Sequence, residues 1–516
     1  MTSISRRQLL QGAGSLSLAG LAGTASAAGF VSAPKSWDKK CDVVVLGAGG
    51  AGLHAAIQAA DAGGKVILIN KSLNSYFSAT ALCGGLFAAF NSKKQRAEGI
   101  HDSIDEFVED VLSYGGNWAN PELLRTFATY SGLVFDWMMD HGLKPNKYEN
   151  YLEHRNRRAA RQNSYTGQDY IAVLAPEAEK RSAIQRRDNC AVTRFFYDME
   201  KNRVTGVEVE DLEENKKFTI EARKGVVMAT GGFIGSVPMV DRWVPSLQKT
   251  GVVLNTPAND GAALMTAVRD LGTPLTHMQF VVGYPNGVLE DEKTRRGTVC
   301  RFWYFIPEGG ILVSKKGERF VNETIGVCHI TPSIATLPGR RHYCLVTEEM
   351  WNEVLKKYPA GAFGWNAERL AKELKQGGIV FKADSIDALA KAAGIDVNGL
   401  KKELAAWNSA VEAGRDPRFG RTKGMSRKIE KGPFYLITLS TYTIISSGGL
   451  RCNKNMQVLR WDDQPIGGLY AAGETVGAIH GNSYCGGCAN GFAQTSGWVA
   501  GRLVMGAGLP KVPERC

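Results

Sequence analysis

Past its first stretch the chain has no run of ~18 apolar residues, so no membrane-spanning helix is expected in its body. No internal repeat or low-complexity block interrupts it. The ten cysteines, at 41, 83, 190, 300, 328, 344, 452, 485, 488 and 516, are scattered and form no disulfide framework. Cys485-Gly-Gly-Cys488 is a CxxC, but Ala489 follows where c-type haem attachment needs histidine. With no second CxxC, a four-cysteine zinc or iron–sulfur site is excluded, and no metal or haem is expected. The two thiols read as small side chains filling space, with a redox disulfide as the alternative. Basic tracts interleaved with aromatics are absent, which argues against nucleic acid. The net charge of +11 fits plain solubility or steering of an acidic partner.

The chain's 516 residues, 44% of them hydrophobic, suffice for two or three domains with a sizeable core. The N-terminus stands apart. Ser5-Arg6-Arg7-Gln8-Leu9-Leu10 precedes a Gly/Ala-rich apolar stretch from Gly12 to Gly23, then Ala25-Ser26-Ala27. A charged start, a short apolar centre and a small-residue cleavage site make an export signal over residues 1–27. The paired arginines read as a twin-arginine signal, with a general secretory signal as the alternative. The apolar stretch is too short to anchor the chain. The expected location is the periplasm. The twin-arginine route carries folded proteins, which suits one that acquires a cofactor before export.

Cys41 to Leu46 is a short β-branched apolar run, read as a buried parallel strand. It leads into Gly47-Ala-Gly49-Gly50-Ala51-Gly52, a helical stretch from Leu53 to Ala62 and a second strand from Lys65 to Asn70. This is a βαβ dinucleotide site. The first glycine makes the turn, the second admits a pyrophosphate, and the third lets helix and strand pack. The helix N-terminus offers N–H groups to the phosphates. Asn70 stands where an acidic ribose ligand is expected and accepts a hydrogen bond without charge assistance. Ser103-Ile-Asp-Glu106 predicts a capping box, and Asn120-Pro121 the start of a helix running toward Gly142. Gly225 to Gly232 and Gly468 to Glu474 read as buried strands ending in glycine, and the last helix is expected from Gly491 to Met505.

In this order, Gly47–Gly52, Ala229-Thr-Gly-Gly232, Asn259-Asp-Gly261, Gly317–Glu323, Ala413–Arg421, Gly432-Pro-Phe-Tyr435, Gly448-Gly-Leu450 and Gly468–Glu474 resemble one family. It is the flavoprotein family of fumarate reductase and succinate dehydrogenase, in its soluble flavocytochrome-type branch. Urocanate reductase and 3-ketosteroid Δ1-dehydrogenase are relatives. The resemblance implies an α/β fold: a Rossmann-like FAD-binding domain in two segments, 35–278 and 446–516, with an inserted α+β capping domain over 279–445. It implies FAD held without a covalent bond. Gly47, Gly49, Gly50, Ala51 and Gly52 would cradle the pyrophosphate, with Asn70 and Lys71 at the ribose. Ser78, Thr80, Gly84 and Gly85 would sit near the isoalloxazine. Thr230, Gly231 and Asp260 belong to the shared motifs. Glu474 would hold the ribityl chain, and Asn490 and Gly491 would face the flavin N1/O2 edge.

The chain departs from the family where fumarate is gripped. The proton-delivering arginine position falls at Val327, and the carboxylate-binding arginine position at Tyr484. The two histidine positions fall at Ile445 and Tyr284, and a Thr-Glu pair at Phe302-Trp303. A clamp for two carboxylates cannot be built from these residues. The implied pocket is aromatic and largely neutral: Tyr284, Trp303, Tyr304 and Tyr484. The implied reaction is reduction of a conjugated carbon–carbon double bond in a small organic substrate. Tyr484 would polarise the carbonyl, and His329 or Tyr304 would donate the proton. Electrons would come from a separate c-type cytochrome or a quinol-linked donor. Two alternatives remain: a ketosteroid-type dehydrogenase running the reaction backwards, and an exported flavin electron carrier.

Overall fold

The computed structural model describes residues 30–149, 153–248, 251–358, 362–363 and 365–514. The expected twin-arginine signal, at 1–27, lies outside the described residues. Along the chain run β1 (Lys39–Leu46), α1 (Gly50–Asp61), β2 (Val66–Ile69), β3 (Ile184–Arg187), β4 (Cys190–Asp198), β5 (Arg203–Asp211) and β6 (Lys216–Met228). They are followed by β7 (Val281–Asp291), β8 (Arg296–Val299), α2 (Val327–Ile334), β9 (Arg341–Thr347), β10 (Phe434–Ser446), β11 (Pro465–Ala471) and α3 (Cys488–Val504).

The strands β1, β2, β3 and β6 pair in parallel, with Val43 to Leu46 opposite Val66 to Ile69 on one side and Gly225 to Met228 on the other. β11 returns from the far end of the sequence and pairs in parallel with β6 at Leu469 to Ala471. β4, β5 and β6 form an antiparallel meander on the same eight-stranded sheet. The central stretches Val43–Leu46, Val66–Ile69 and Val226–Met228 are apolar and buried. One hydrophobic cluster runs from Cys41 to Leu271 and resumes from Leu450 to Val504. α1 and α3 pack so closely that a Cβ at Gly497 or Gly501 would fall 2.1 or 2.4 Å from an α1 carbonyl oxygen.

A second cluster, Val288 to Leu439, surrounds a seven-stranded sheet whose centre is β10. The strands β7 and β9 flank β10 antiparallel. A buried ionic brace holds this unit. Arg319 pairs with Glu323 at 2.7 Å and Asp416 at 3.0 Å, and Arg421 lies 3.2 Å from Glu323. Both guanidinium groups lie over the Trp407 ring. Two of the sequence motifs, around Gly317–Glu323 and Ala413–Arg421, therefore meet to build the unit's interior. Arg158, whose Arg157-Arg158 pair reads in the sequence as a solvated face, is instead fully buried, 2.6 Å from Asp102 and bonded to Asp110. Among the described residues no helix is long and apolar enough to cross a membrane.

Candidate active site

A cleft of about 900 Å³ runs between the two units. Its floor is the βαβ turn. Gly47 has φ +102, and a Cβ there would fall 2.2 Å from the Ala229 oxygen, so no side chain fits. α1 follows at once, and its first-turn N–H groups have no intrahelical acceptor. One of them is already taken: Gly50 N–H donates to Thr80 Oγ1 at 3.0 Å. Ser78 likewise turns its hydroxyl to the Ala81 amide, capping the short helix Ala79–Leu82.

Of the cofactor positions expected from the sequence, Gly47, Gly49, Gly50, Ala51, Asn70, Lys71, Ser78, Thr80, Gly84, Thr230, Gly231, Asp260, Glu474 and Asn490 line this cleft. Gly52, Gly85 and Gly491 do not: a Cβ on each would fall 1.7 Å from Gly47 O, 2.6 Å from Thr166 O and 2.8 Å from Ala88 O respectively. These three are packing glycines beneath the cleft. Asn70 donates its amide nitrogen to Ser72 O at 2.8 Å and Asp188 at 2.7 Å, which leaves its side-chain carbonyl as the acceptor for a hydroxyl. Lys71 pairs with Asp260 at 2.5 Å. Glu474 accepts from Ser446 N–H (2.7 Å), Ser446 Oγ (2.8 Å) and Asn259 Nδ2 (3.0 Å). Burial pushes its carboxyl up, against those hydrogen bonds. Thr230 Oγ1 and Asn259 Oδ1 are buried in the lining with no hydrogen-bond partner. A polar ligand satisfies such groups. An extended dinucleotide with ribose and phosphate groups fits this donor and acceptor set.

The opposite wall is aromatic. Tyr284 on β7 stacks on Tyr442 of β10 at 5.1 Å and 20°, because strand pairing sets them side by side. Trp303, Tyr304, Ile445 and Tyr484 line the same cleft. Tyr304 is stacked on Tyr358 at 3.8 Å and 7°. Tyr484 accepts the Gly487 N–H at 3.0 Å and meets the His480 ring edge-on at 5.3 Å. His480 is buried, and loss of water around the imidazolium lowers it to about 4, so it is neutral. His329 is on α2, exposed and 4.8 Å from the Tyr114 ring, and is not part of the lining. Val327 opens α2, and its side chain lies outside the described residues.

Polar residues that carry no sequence motif also line the cleft, among them Asn286, Arg301 and Arg161. Tyr442 was equally hidden. Its signal is the register of β10 on β7, which sequence periodicity does not give.

Behind the cleft, Cys488 opens α3 and Cys485 precedes it, both buried. Burial raises Cys488, but hydrogen bonds from the Cys485 thiol and His154 outweigh it and bring the thiol to about 6. His154 Nε2 lies 2.8 Å from Gly486 O. Among the described residues no group of three or more His, Cys, Asp or Glu is set to hold a metal.

The FAD binding domain family matches residues 42–490. The acrylate reductase flavoprotein subunit of Shewanella woodyi is 30% identical, covering 98% of this chain and 99% of that protein. The fumarate reductase (cytochrome) of Shewanella frigidimarina is 31% identical over 89% of this chain and 76% of its own. Among solved structures, the open conformation of a flavocytochrome c3 fumarate reductase superposes with a TM-score of 0.74 at 26% identity, covering 91% of this chain and 79% of that one.

Proposed function

Because the chain belongs to the FAD binding domain family, we propose that it is a periplasmic FAD-dependent reductase of a carbon–carbon double bond conjugated to a carbonyl or carboxyl group, with an aromatic or neutral substrate rather than fumarate. The carrying observation is the wall of Tyr284, Tyr442, Trp303 and Tyr484 facing the dinucleotide cradle across one cleft. Similarity to an acrylate reductase flavoprotein subunit and to a fumarate reductase (cytochrome) supports double-bond reduction as the reaction class. When bound, FAD supplies a hydride donor at the flavin N5.

The chain's own residues then do the rest. Gly47 and the first turn of α1 hold the pyrophosphate. Thr230, Asn259 and Glu474 take the ribityl hydroxyls. The N-terminal end of α3, with Asn490, presents its N–H groups to the ring edge. Tyr484 donates its hydroxyl to the substrate carbonyl and stabilises the enolate charge. Its oxygen is held in place by Gly487 N–H. Tyr304 stands in the lining as a proton donor to the α-carbon, whereas His329 stands outside it. FAD is bound without a covalent link, and electrons arrive from a separate c-type cytochrome or a quinol-linked donor.

The test is anaerobic reoxidation of the dithionite-reduced protein, followed at the flavin band, with fumarate, urocanate, cinnamate and a steroid enone. Fast reoxidation by a conjugated aromatic or neutral compound, with fumarate inert, is expected. Tyr484→Phe should slow it by about 10²-fold with the FAD content unchanged. Fast reoxidation by fumarate would overturn the reading of Tyr284, Ile445 and Tyr484.

A further inference from the structure

The cleft contains one polar corner that the aromatic wall does not explain. Asn286 is fully buried, it lines the cleft, and both its Oδ1 and its Nδ2 have no hydrogen-bond partner. A buried amide with neither end satisfied is rare in a folded chain and points to a polar ligand. The backbone there is arranged to aim it. The register of β7 on β10 shifts between Tyr284 and Gly287, so Pro285 and Asn286 lie outside the regular ladder. Such irregularities redirect a side chain.

Arg301 follows Cys300 in the chain and lines the same cleft as this amide. Cys300 N–H donates to Asn286 O at 2.8 Å, and Arg301 N–H donates to Ala362 O at 2.6 Å, so both sides of the corner are fixed by backbone bonds. The other basic side chains in the lining with long reach are matched by carboxylates: Lys71 by Asp260 and Arg161 by Glu149. Arg301 has no ion-pair partner among the described residues and is exposed to the cleft. His480 is neutral and adds no charge.

We propose that Asn286 and Arg301 form a subsite for a single carboxylate, so that the substrate is a planar, aromatic α,β-unsaturated monocarboxylic acid. This rests on the reading of the cleft as a double-bond reductase. A guanidinium offers two parallel N–H groups that match one carboxylate, and the Asn286 amide adds a further donor. The tyrosines and tryptophan supply flat contact for the ring. One available cation accounts for one carboxylate, and the positions where the resemblance expects further cations hold Tyr284, Ile445 and Tyr484. A dicarboxylate would leave its second charge against aromatic carbon.

The experiment compares cinnamate with methyl cinnamate, which has the same ring and double bond without the charge. Reoxidation of the reduced holoenzyme is measured for wild type, Arg301→Gln, Arg301→Lys and Asn286→Asp. Arg301→Gln should raise KM for cinnamate at least tenfold and leave KM for the ester within twofold. Arg301→Lys should recover part of the loss, because it restores charge without the fork. Asn286→Asp should weaken the acid more than the ester, and added salt should do the same in wild type. Arg301 is exposed, so its variants are expected to keep the flavin band and thermal midpoint of wild type.

Calorimetric binding of cinnamate needs no turnover and separates the two readings. Binding by wild type that is lost in Arg301→Gln, with no reoxidation by either compound, upholds the subsite and overturns the reductase. Reoxidation by cinnamate that is equally fast in Arg301→Gln overturns the subsite and keeps the reductase. Equal losses for acid and ester also overturn it, since they mark a damaged cleft rather than a lost charge contact.

Discussion

Gly47 and Asn286 illustrate two kinds of single-residue information. Gly47 combines a positive φ with a carbonyl oxygen 2.2 Å from any added Cβ. Gly47→Ala must therefore move the segment after β6 or the turn itself, and both line the cleft where the proposed reading puts the pyrophosphate. The expected outcome is protein purified with little or no FAD, checked by the ratio of flavin to protein absorbance. Full flavin content would show that the turn relaxes without loss. This residue was legible in the sequence because its constraint is local: a strand, a glycine pattern and a helix within a few residues. Asn286 was not, because it lies at a ladder irregularity between β7 and β10, strands separated by some 150 residues, and Arg301 was not, because its backbone is tied to the distant Ala362. Arg158 was misread for the same reason, since its partners Asp102 and Asp110 come from a distant stretch.

Among the elements, the N-caps matched their local signals, but the capping box expected at Ser103–Glu106 forms only in half, because Ser103 N–H donates to Asp102 instead of Glu106. Ser103 accepts the Glu106 N–H, and Asn120 caps the helix Pro121–Asp140. The last helix begins at Cys488 rather than at Gly491. The glycine-rich run reads as a loop in the sequence, but Gly487 adopts a left-handed N-cap and lets the helix start earlier, taking Cys488 into its first turn. The antiparallel meander of β4 and β5 also carried no motif. The ionic brace of the second unit is a different case: its residues lie in recognisable motifs, yet their work is structural. Glu323 bonds Arg319, lies beside Arg421 and accepts the Leu312 N–H at 3.1 Å. Removing it leaves buried guanidinium charge under-compensated. Glu323→Ala should destabilise the protein by ~3–5 kcal/mol, read as a lower denaturant midpoint. An unchanged midpoint would mean that Asp416 alone balances both arginines.

Across the whole molecule, proton uptake on unfolding sets the acid limit. His54 and His342 are held at about 3 and His480 at about 4 by burial, against an ordinary value of 6.5. Unfolding frees each to bind a proton below pH ~6.5, so their contribution is present above that pH and lost as pH falls. Asp136, pushed up to about 6 by burial, and Glu474, also raised by burial, work in the opposite direction. The histidine uptakes lower stability as pH falls toward 5, and Asp136 and Glu474 offset part of that loss. Urea midpoints at pH 7 and pH 5 test this, and a midpoint at pH 5 equal to or above that at pH 7 would contradict it.

The shared carboxylate of Glu474 has a consequence of its own. Ser446 is the last residue of β10, the central strand of the second unit, and it grips Glu474 from the first unit through both its amide and its hydroxyl. Asn259 grips the second oxygen. In the proposed reading, the group that would meet the cofactor's sugar-alcohol chain is also the pin on which the upper sheet rests. Two occupants of the cleft, one below and one above, thus act on the same pin. Thermodynamic reciprocity then requires that whatever factor the lower occupant adds to the grip on the upper one, the upper returns to the lower.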